Sequence, residues 1–571
     1  MMATSIVGDI LNSFILSGRL GYAEIFKSPV FWLCLILVVL AGLLAMPLAV
    51  PIGPMYWDTY IYLDATQRIK MGQIPGADFS TPVGPLGYYL FTAGLALFPK
   101  AQLLLLAQWS MLAAAAPLMA VVLGAIGPQR RALAFALLVP FLIFGIFPAN
   151  VQAFHTYPGL DGFGIYNRQT SLLIYVLVSG LMFIREGRKL AVFCAIAMLC
   201  LFLTKITGFL VGGLIGLAAL LAGRISVRST ILAAVLFLAV LAILELNGHM
   251  MTAYLADIAR LVALNEEALL PRFLTVMSGK LDVILPSGLL VLALFWIDMT
   301  RPNRSIRFFD SNWIWLGVTL LGGIILETQN TGSQEFIFLW PFLLMIFQRI
   351  KLLDEKAKLA FLALAAIAVI PTFTQVMHKT LRAMAVAPPY IEPPTSNLKN
   401  MARVLARRDI MERASLLKDH YAKQNAAYMD LAEKGQLPSF RLYAELDFQV
   451  FWLLSADTML KALTQFETQN GIRLQSLMTL DFADPFPWLL GRDATRLIQI
   501  GADPFRTVPK MTPDVKAAVE ATDGVLRPNC PATTAHYKLQ EIYADALQNR
   551  EVVKLNDCWD LLLRPGLKKA E

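Results

Sequence analysis

The sequence predicts an α-helical polytopic membrane protein with a C-terminal soluble α/β domain. Three observations predict it. Of 571 residues, 57% are hydrophobic and 16% charged, whereas soluble domains carry about 25% charged residues. Apolar runs near the roughly 20 residues that cross a bilayer recur between residues 29 and 377. Past a linker holding Pro388, Pro389, Pro393 and Pro394, the chain turns polar. The expected division is therefore a transmembrane part at 1–387 and a soluble domain at 388–571.

About eleven transmembrane helices are expected, over 29–51, 101–124, 132–149, 170–184, 190–204, 206–223, 229–246, 283–297, 311–326, 334–348 and 359–377. The first run is too long and too far from the start for a cleaved signal, and reads as an anchor. The stretch 190–223 reads either as one long helix with Lys205 in its middle or as two helices broken there. Charge favours two. With the N-terminus inside, the inner loops hold 14 Lys and Arg in 34 positions, and the outer segments hold 8 in 111. This is the positive-inside bias. It also points the formal charge of +8 toward a membrane surface rather than nucleic acid. Eleven spans place the C-terminal domain outside. The predicted setting is the inner (cytoplasmic) membrane, with the N-terminus cytoplasmic and the C-terminal domain periplasmic.

In that domain, 496–500 and 551–555 read as strands, and 512–521 and 536–549 as helices. Cys34, Cys194 and Cys200 lie in apolar runs and read as small hydrophobes. In an oxidising space Cys530 and Cys558 read either as a disulfide or as two thiols.

The outer loop 52–100 is the most informative segment, since loops this long usually have a function. Asp58 follows the first apolar run by seven residues, which puts it at the membrane interface. Residues 56–71 are compatible with helix. Residues 74–85 are not, because Pro75, Gly76, Pro82, Gly84 and Pro85 break it. Residues 86–98 are apolar but too short to span, and fit a helix lying in the interface.

This pattern resembles the first outer loop of the GT-C superfamily, polytopic glycosyltransferases that take a sugar from a polyprenyl-phosphate carrier. Members similar to dolichyl-phosphate-mannose-protein mannosyltransferases and aminoarabinose transferases show an acidic residue after the first span. A Gly-x-x-Pro-x-x-Asp-Phe turn, a Pro-rich stretch and Tyr-Tyr follow. Here these are Asp58, Gly72 to Phe79, Pro82 to Pro85, and Tyr88-Tyr89. Leu203-Thr204-Lys205-Ile206-Thr207-Gly208 resembles the family's Thr-Lys-x-x-Gly break. The resemblance covers roughly residues 29–377. It implies a polyprenyl-phosphate-linked donor, an envelope glycan, lipid or protein acceptor, Asp58 as catalytic base and Asp78 as a second loop acid.

The chemistry is consistent with these residue types. Transfer to a hydroxyl needs a carboxylate to take the acceptor proton. The departing phosphate needs cations, for which Lys205, Arg168 and Arg272 are candidates. A single displacement inverts the anomeric centre. Tyr88, Tyr89, Asn167, Glu327 and Asn330 are candidates for substrate contact. Each has a structural alternative. Asp58 suits a helix N-cap, Asp78 a self-bonded turn, Lys205 a snorkelling helix end, and Glu327 and Asn330 helix capping. Arg168 sits in a loop with His155 and Asp161 that either closes over substrate or only links two spans.

Gly162-Phe163-Gly164 lacks the third glycine and the strand of a dinucleotide fingerprint. The five histidines show no metal-ligand spacing. No cofactor is implied, although Asp58 and Asp78 have the hard oxygen ligands that a divalent cation prefers. Gly208, Gly212 and Gly216 read as close helix packing. Asp481 to Trp488 reads as a structural corner or a glycan contact. Two other functions compete, a transporter or flippase of a lipid-linked saccharide and a receptor or assembly scaffold. Few charges lie in the spans and no inverted halves are visible, which weighs against transport.

Overall fold

The computed structural model describes residues 25–149, 157–265, 269–300, 308–329, 336–349, 355–437 and 445–567. A helical bundle carries a C-terminal α/β region. The bundle helices are α1 (Pro29–Ala45), α2 (Asp58–Lys70), α3 (Leu86–Leu97), α4 (Leu103–Ser110), α5 (Leu112–Ile126), α6 (Arg131–Ile146), α7 (Ile165–Phe183) and α8 (Arg188–Thr204). They continue with α9 (Ile206–Leu221), α10 (Val227–Glu245), α11 (Met250–Asn265), α12 (Leu269–Gly279), α13 (Leu281–Thr300), α14 (Asn312–Gln329), α15 (Trp340–Arg349) and α16 (Glu355–Val386). By length and composition, five described helical stretches are able to cross a membrane: Leu103–Ile126, Pro128–Ile146, Val227–Glu245, Leu281–Thr300 and Glu355–Val386. Five more are apolar but shorter, Pro29–Ala45 and Ile206–Leu221 among them. Among the described residues each apolar run read from the sequence is mostly helical, although α1 ends at Ala45 and Val50–Pro51 is a strand.

The chain between Thr204 and Ile206 is extended, so the stretch 190–223 is two helices. Lys205 has φ −160° and ψ 126°. Its N–H donates to the Leu201 carbonyl (2.8 Å), closing α8, and its carbonyl accepts the Gly208 N–H (3.0 Å), opening α9. Between α10 and α13 the described residues form α11 and α12.

The C-terminal region adds α17 (Arg408–Lys423), α18 (Asn425–Glu433), α19 (Leu446–Asn470), α20 (Phe486–Leu490), α21 (Pro513–Ala521) and α22 (Thr534–Leu547). Its strands are β3 (Ser476–Thr479), β4 (Asp493–Ala494), β5 (Gly524–Pro528), β6 (Glu551–Asn556) and β7 (Trp559–Leu563), in the order β4-β3-β5-β7-β6. The β3 pairings are parallel and the β7 pairings antiparallel. Cys530 and Cys558 form a disulfide with Cα atoms 4.8 Å apart. The two helices and the 551–555 strand expected there are present. The 496–500 segment is different: it lies against the first loop instead of joining the sheet. Ser80 N–H donates to Ile498 O, and Ile500 N–H to Ser80 O, both at 3.0 Å.

Two features lock this region onto the end of the bundle that carries α2. Val50–Pro51 (β1) pairs in parallel with Val404–Leu405 (β2). Helix α2 is buried at every position from Asp58 to Arg68. Trp57 and Tyr60 pack on Trp452 of α19, with ring centroids 4.8 and 5.4 Å away. Such aromatic contacts bury large apolar area and fix ring geometry. Farther along, Gln67 donates to Arg492 O (2.7 Å) and Gln73 to Ala494 O (2.8 Å). Polar groups of α2 and of the turn after it are thus satisfied in the interior by carbonyls of the C-terminal region. The C-terminal region roofs the helix that the sequence placed at the interface.

Candidate active site at the start of the first loop

Asp58 stands at the first position of α2 and is buried. Its Oδ2 accepts the N–H of Gly164 at 3.0 Å. Gly164 has φ +67° and caps α7, a left-handed geometry that glycine adopts without steric cost. The approach of the two segments also requires glycines. A Cβ on Gly162 would lie 2.4 Å from Tyr56 Cα, and one on Gly53 2.2 Å from Leu160 O. The glycines that fail as a nucleotide fingerprint thus build one wall of this site.

Burial pushes the Asp58 carboxyl up to about 6, opposed by the Gly164 N–H and the Arg168 charge. Arg168 is itself buried and fixed. Its Nε donates to Gln108 Oε1 (2.9 Å), and its guanidinium also donates to Phe163 O (2.8 Å) and Asp161 O (3.3 Å). One residue earlier on α7, Asn167 Oδ1 accepts from Lys205 Nζ at 2.7 Å. The same ammonium lies 5.6 Å from the Tyr166 ring centroid. Tyr62 and Tyr88 close the group, with ring centroids 5.2 Å apart. Both phenols lie within electrostatic reach of Asp58 and Tyr166.

The proline-rich turn is joined to the Lys205 break. The Gly84 N–H donates to Thr204 O at 3.0 Å. A Cβ at Gly84 would fall 2.2 Å from Leu203 O. The break removes Thr204 O from the helical ladder, and Gly84 satisfies it, as buried carbonyls require. Gly208 packs against Thr170 and Gly212 against Leu201, where a Cβ would clash at 2.3 and 2.9 Å; Gly216 has open space.

Asp58, Asn167, Arg168, Lys205 and Tyr88 therefore converge. The other sequence candidates take different partners. The carboxylate of Asp78 accepts the Ile74 N–H (2.8 Å) and pairs with Arg496. This joins its own turn to the C-terminal region, away from the hydrogen bonds of Asp58. Arg272 donates to Asn265 Oδ1 (3.0 Å) in the α11–α12 pair. Tyr89 is half-buried in an apolar cluster with Phe202, Leu203, Met250 and Tyr254. Glu327 lies 3.9 Å from Lys280. Asn330 and His155 fall outside the described residues. Asp481 accepts from Trp452 Nε1 (3.0 Å) and lies 3.2 Å from His536 Nε2, so the Asp481–Trp488 turn is a packed corner. Among the described residues, no group of three His, Cys, Asp or Glu is spaced to hold a metal ion.

Sequence reasoning missed three residues. Lys379 Nζ is 3.9 Å from Asp161 Oδ2 and within charge reach of Arg168 and Lys280. These lysines extend the cationic side of the site. Lys379 was legible only as a cation just past an apolar run, because α16 continues to Val386. Tyr62 lies on α2, one helical turn after Asp58, a spacing that brings side chains to one face.

No protein-family model and no curated protein matches the chain. Two solved structures are similar over nearly its whole length. One is ArnT from Cupriavidus metallidurans in the apo state, 12% identical, covering 93% of this chain and 97% of that one at a TM-score of 0.36. The other is ArnT from the same organism bound to undecaprenyl phosphate, 11% identical, covering 95% and 98% at a TM-score of 0.39.

Proposed function

We propose that this protein is an inverting membrane glycosyltransferase. It transfers a sugar from a polyprenyl-phosphate carrier to a hydroxyl of a cell-envelope glycan, lipid or protein. The reading rests on the resemblance of the first loop and on one observation: a buried carboxyl, pushed up to about 6, within charge reach of the fixed Arg168, whose neighbour Asn167 holds Lys205. An isolated buried carboxylate is costly. Groups perturbed in this way cluster at functional sites.

Asp58 accepts the proton of the acceptor hydroxyl as its oxygen bonds to the anomeric carbon. The bond from that carbon to the carrier phosphate breaks, and the phosphate keeps the electron pair. Lys205 and Arg168 stabilise the resulting charge, as preorganised donors do in a site that excludes water. Lys205 also sits where α9 begins, and a helix N-terminus adds positive potential. Gly164 holds Asp58 in line. Tyr62 and Tyr88 present ring faces and hydroxyls to the sugar. Arg272 and Tyr89 are left outside this centre, Glu327 adjoins its cationic edge through Lys280, and Asp78 acts by positioning the C-terminal region.

The inner-membrane topology with a periplasmic C-terminal domain belongs to the same proposal, as does the division at 387/388. The disulfide and the positive-inside bias support it. The test uses the purified chain in nanodiscs with polyprenyl-phosphate sugars, reading release of polyprenyl phosphate and sugar gained by the acceptor. Asp58→Asn is expected to abolish both. Carrier translocation that persists in Asp58→Asn, with no transfer by the parent, would establish the flippase alternative instead.

A further inference from the structure

Helices α11 and α12 are amphipathic in a way the reaction does not use. Along α11, Met250, Tyr254 and Asp257 are buried, while Leu255, Ala259, Val262 and Ala263 are exposed. These sets recur at the three- and four-residue spacing of two opposite helix faces. On α12, Leu269, Leu270, Phe273 and Leu274 are exposed, Leu270 to 66%. Soluble surfaces rarely collect so many large apolar side chains. The exposed face continues into Leu281, Leu285, Leu289 and Leu292 of α13, one of the stretches able to cross a membrane.

Cations rim this face. Arg272 lies within charge reach of Arg506, and the Arg506 carbonyl accepts from Asn265 Nδ2 at 3.0 Å. Arg506 and the neighbouring Phe505 are exposed. Two arginines beside an apolar helix face, with partial burial of Arg272 opposing its charge, are complementary to an anionic headgroup above acyl chains.

The opposite face of α11 holds the first loop. Asp257 accepts from Ser80 Oγ (3.1 Å) and the Thr81 N–H (3.3 Å), and pairs with Arg260. Tyr254 donates its hydroxyl to Phe202 O (3.0 Å), beside the Lys205 break.

We propose that α11 and α12 lie in the membrane interface, with their apolar faces in the acyl region and Arg272 and Arg506 on anionic phospholipid headgroups, and that Asp257 anchors the first loop to this immersed element. The proposal needs only that the chain is a membrane protein, so its failure and that of the transferase reading are separable.

The test places nitroxides at Leu270→Cys and Phe273→Cys in a Cys34→Ser background, in nanodiscs, with Leu416→Cys as control. Leu416 is exposed on α17 of the C-terminal region. Labels at 270 and 273 are expected to collide with oxygen more than with a water-soluble nickel complex, and the label at 416 the reverse. Water-like accessibility at 270 and 273 would overturn the proposal. So would strong spin–spin broadening, which would make a second copy of the chain the occupant. Native mass spectrometry then compares retained phosphatidylglycerol and phosphatidylcholine. Arg272→Gln and Arg506→Gln together are expected to lower the phosphatidylglycerol preference by about fivefold for each arginine, from roughly 1 kcal/mol per surface cation. An unchanged preference would also overturn it.

Discussion

Asp58 Oδ2 and the Gly164 N–H meet at 3.0 Å across 106 positions of chain. The contact joins the start of α2 to the start of α7. On the α7 side, the next turn supplies Asn167 and Arg168, and through Asn167 it reaches Lys205. A single hydrogen bond thus sets the carboxylate within charge reach of Arg168, on the helix whose Asn167 holds Lys205.

Asp58→Asn keeps the side-chain shape and removes the base. Loss of a positioned general base costs about 10²–10⁴-fold, so turnover is expected to fall by at least about a hundredfold with thermal stability retained. Steady-state release of polyprenyl phosphate and a melting curve on the same preparation check both. A variant with parental rates would remove Asp58 from the reaction.

The pH profile follows from the same group. Asp58 acts as a base only when ionised, so the rate is expected to rise through about pH 6 and level above it. Arg168→Gln removes a charge that lowers this value, which moves the rise to higher pH. The stability sign is opposite. A carboxyl whose folded value lies above its ordinary 3.8 binds protons more tightly when folded. Its stabilisation is present below about 4 and is lost as pH rises through about 6. Asp58→Asn is therefore expected to raise the melting temperature more at pH 8 than at pH 4.

Lys205→Met removes the ammonium held by Asn167 while keeping an unbranched chain. Loss of a charge-assisted contact to phosphate costs about 1.5–3 kcal/mol, roughly a tenfold to hundredfold fall in kcat/KM for the lipid-linked donor. Partial recovery in Lys205→Arg, with the acceptor KM unchanged, checks that the charge serves the donor.

Gly162→Ala and Gly84→Ala test the packing of the site's walls. Their new Cβ atoms would meet backbone at 2.4 and 2.2 Å, and backbone cannot yield as a flexible side chain does. Overpacking costs typically about 1–3 kcal/mol, so both variants are expected to melt earlier and to lose activity. Gly216→Ala, with open space around it, is the control expected to behave like the parent.

Arg496→Ala breaks the pair that ties Asp78 to the C-terminal region. Arg496 is largely exposed, and surface pairs contribute little, about 0–1 kcal/mol. A less than about tenfold activity change is expected, with faster proteolysis between 388 and 445 as the readout. A loss as deep as that of Asp58→Asn would return Asp78 to the catalytic group.

Several parts were legible because their signals are local. The loop charges favoured two helices over 190–223, and α8 and α9 end and begin at Lys205. The prolines and glycines of 74–85 predicted an irregular turn between α2 and α3. Other readings failed for want of long-range information. Arg496 to Ile500 has strand composition, but its pairing partner is Ser80 of the first loop. Helix α2 is polar enough to suggest a surface, yet carbonyls of the C-terminal region satisfy its Gln67, and Gln73 just past it, in the interior.

The sequence by itself determined the helical bundle, the polar C-terminal region, and the residue types that could move a proton or bind a phosphate, because hydropathy, helix breaking and charge act over a few neighbouring residues. Only the tertiary structure decided that Asp58, Asn167, Arg168, Lys205 and Tyr88 stand together while Asp78 and Arg272 hold other contacts. Side chains so far apart in the chain are brought together by packing and backbone close approach, and no local pattern records which segments meet.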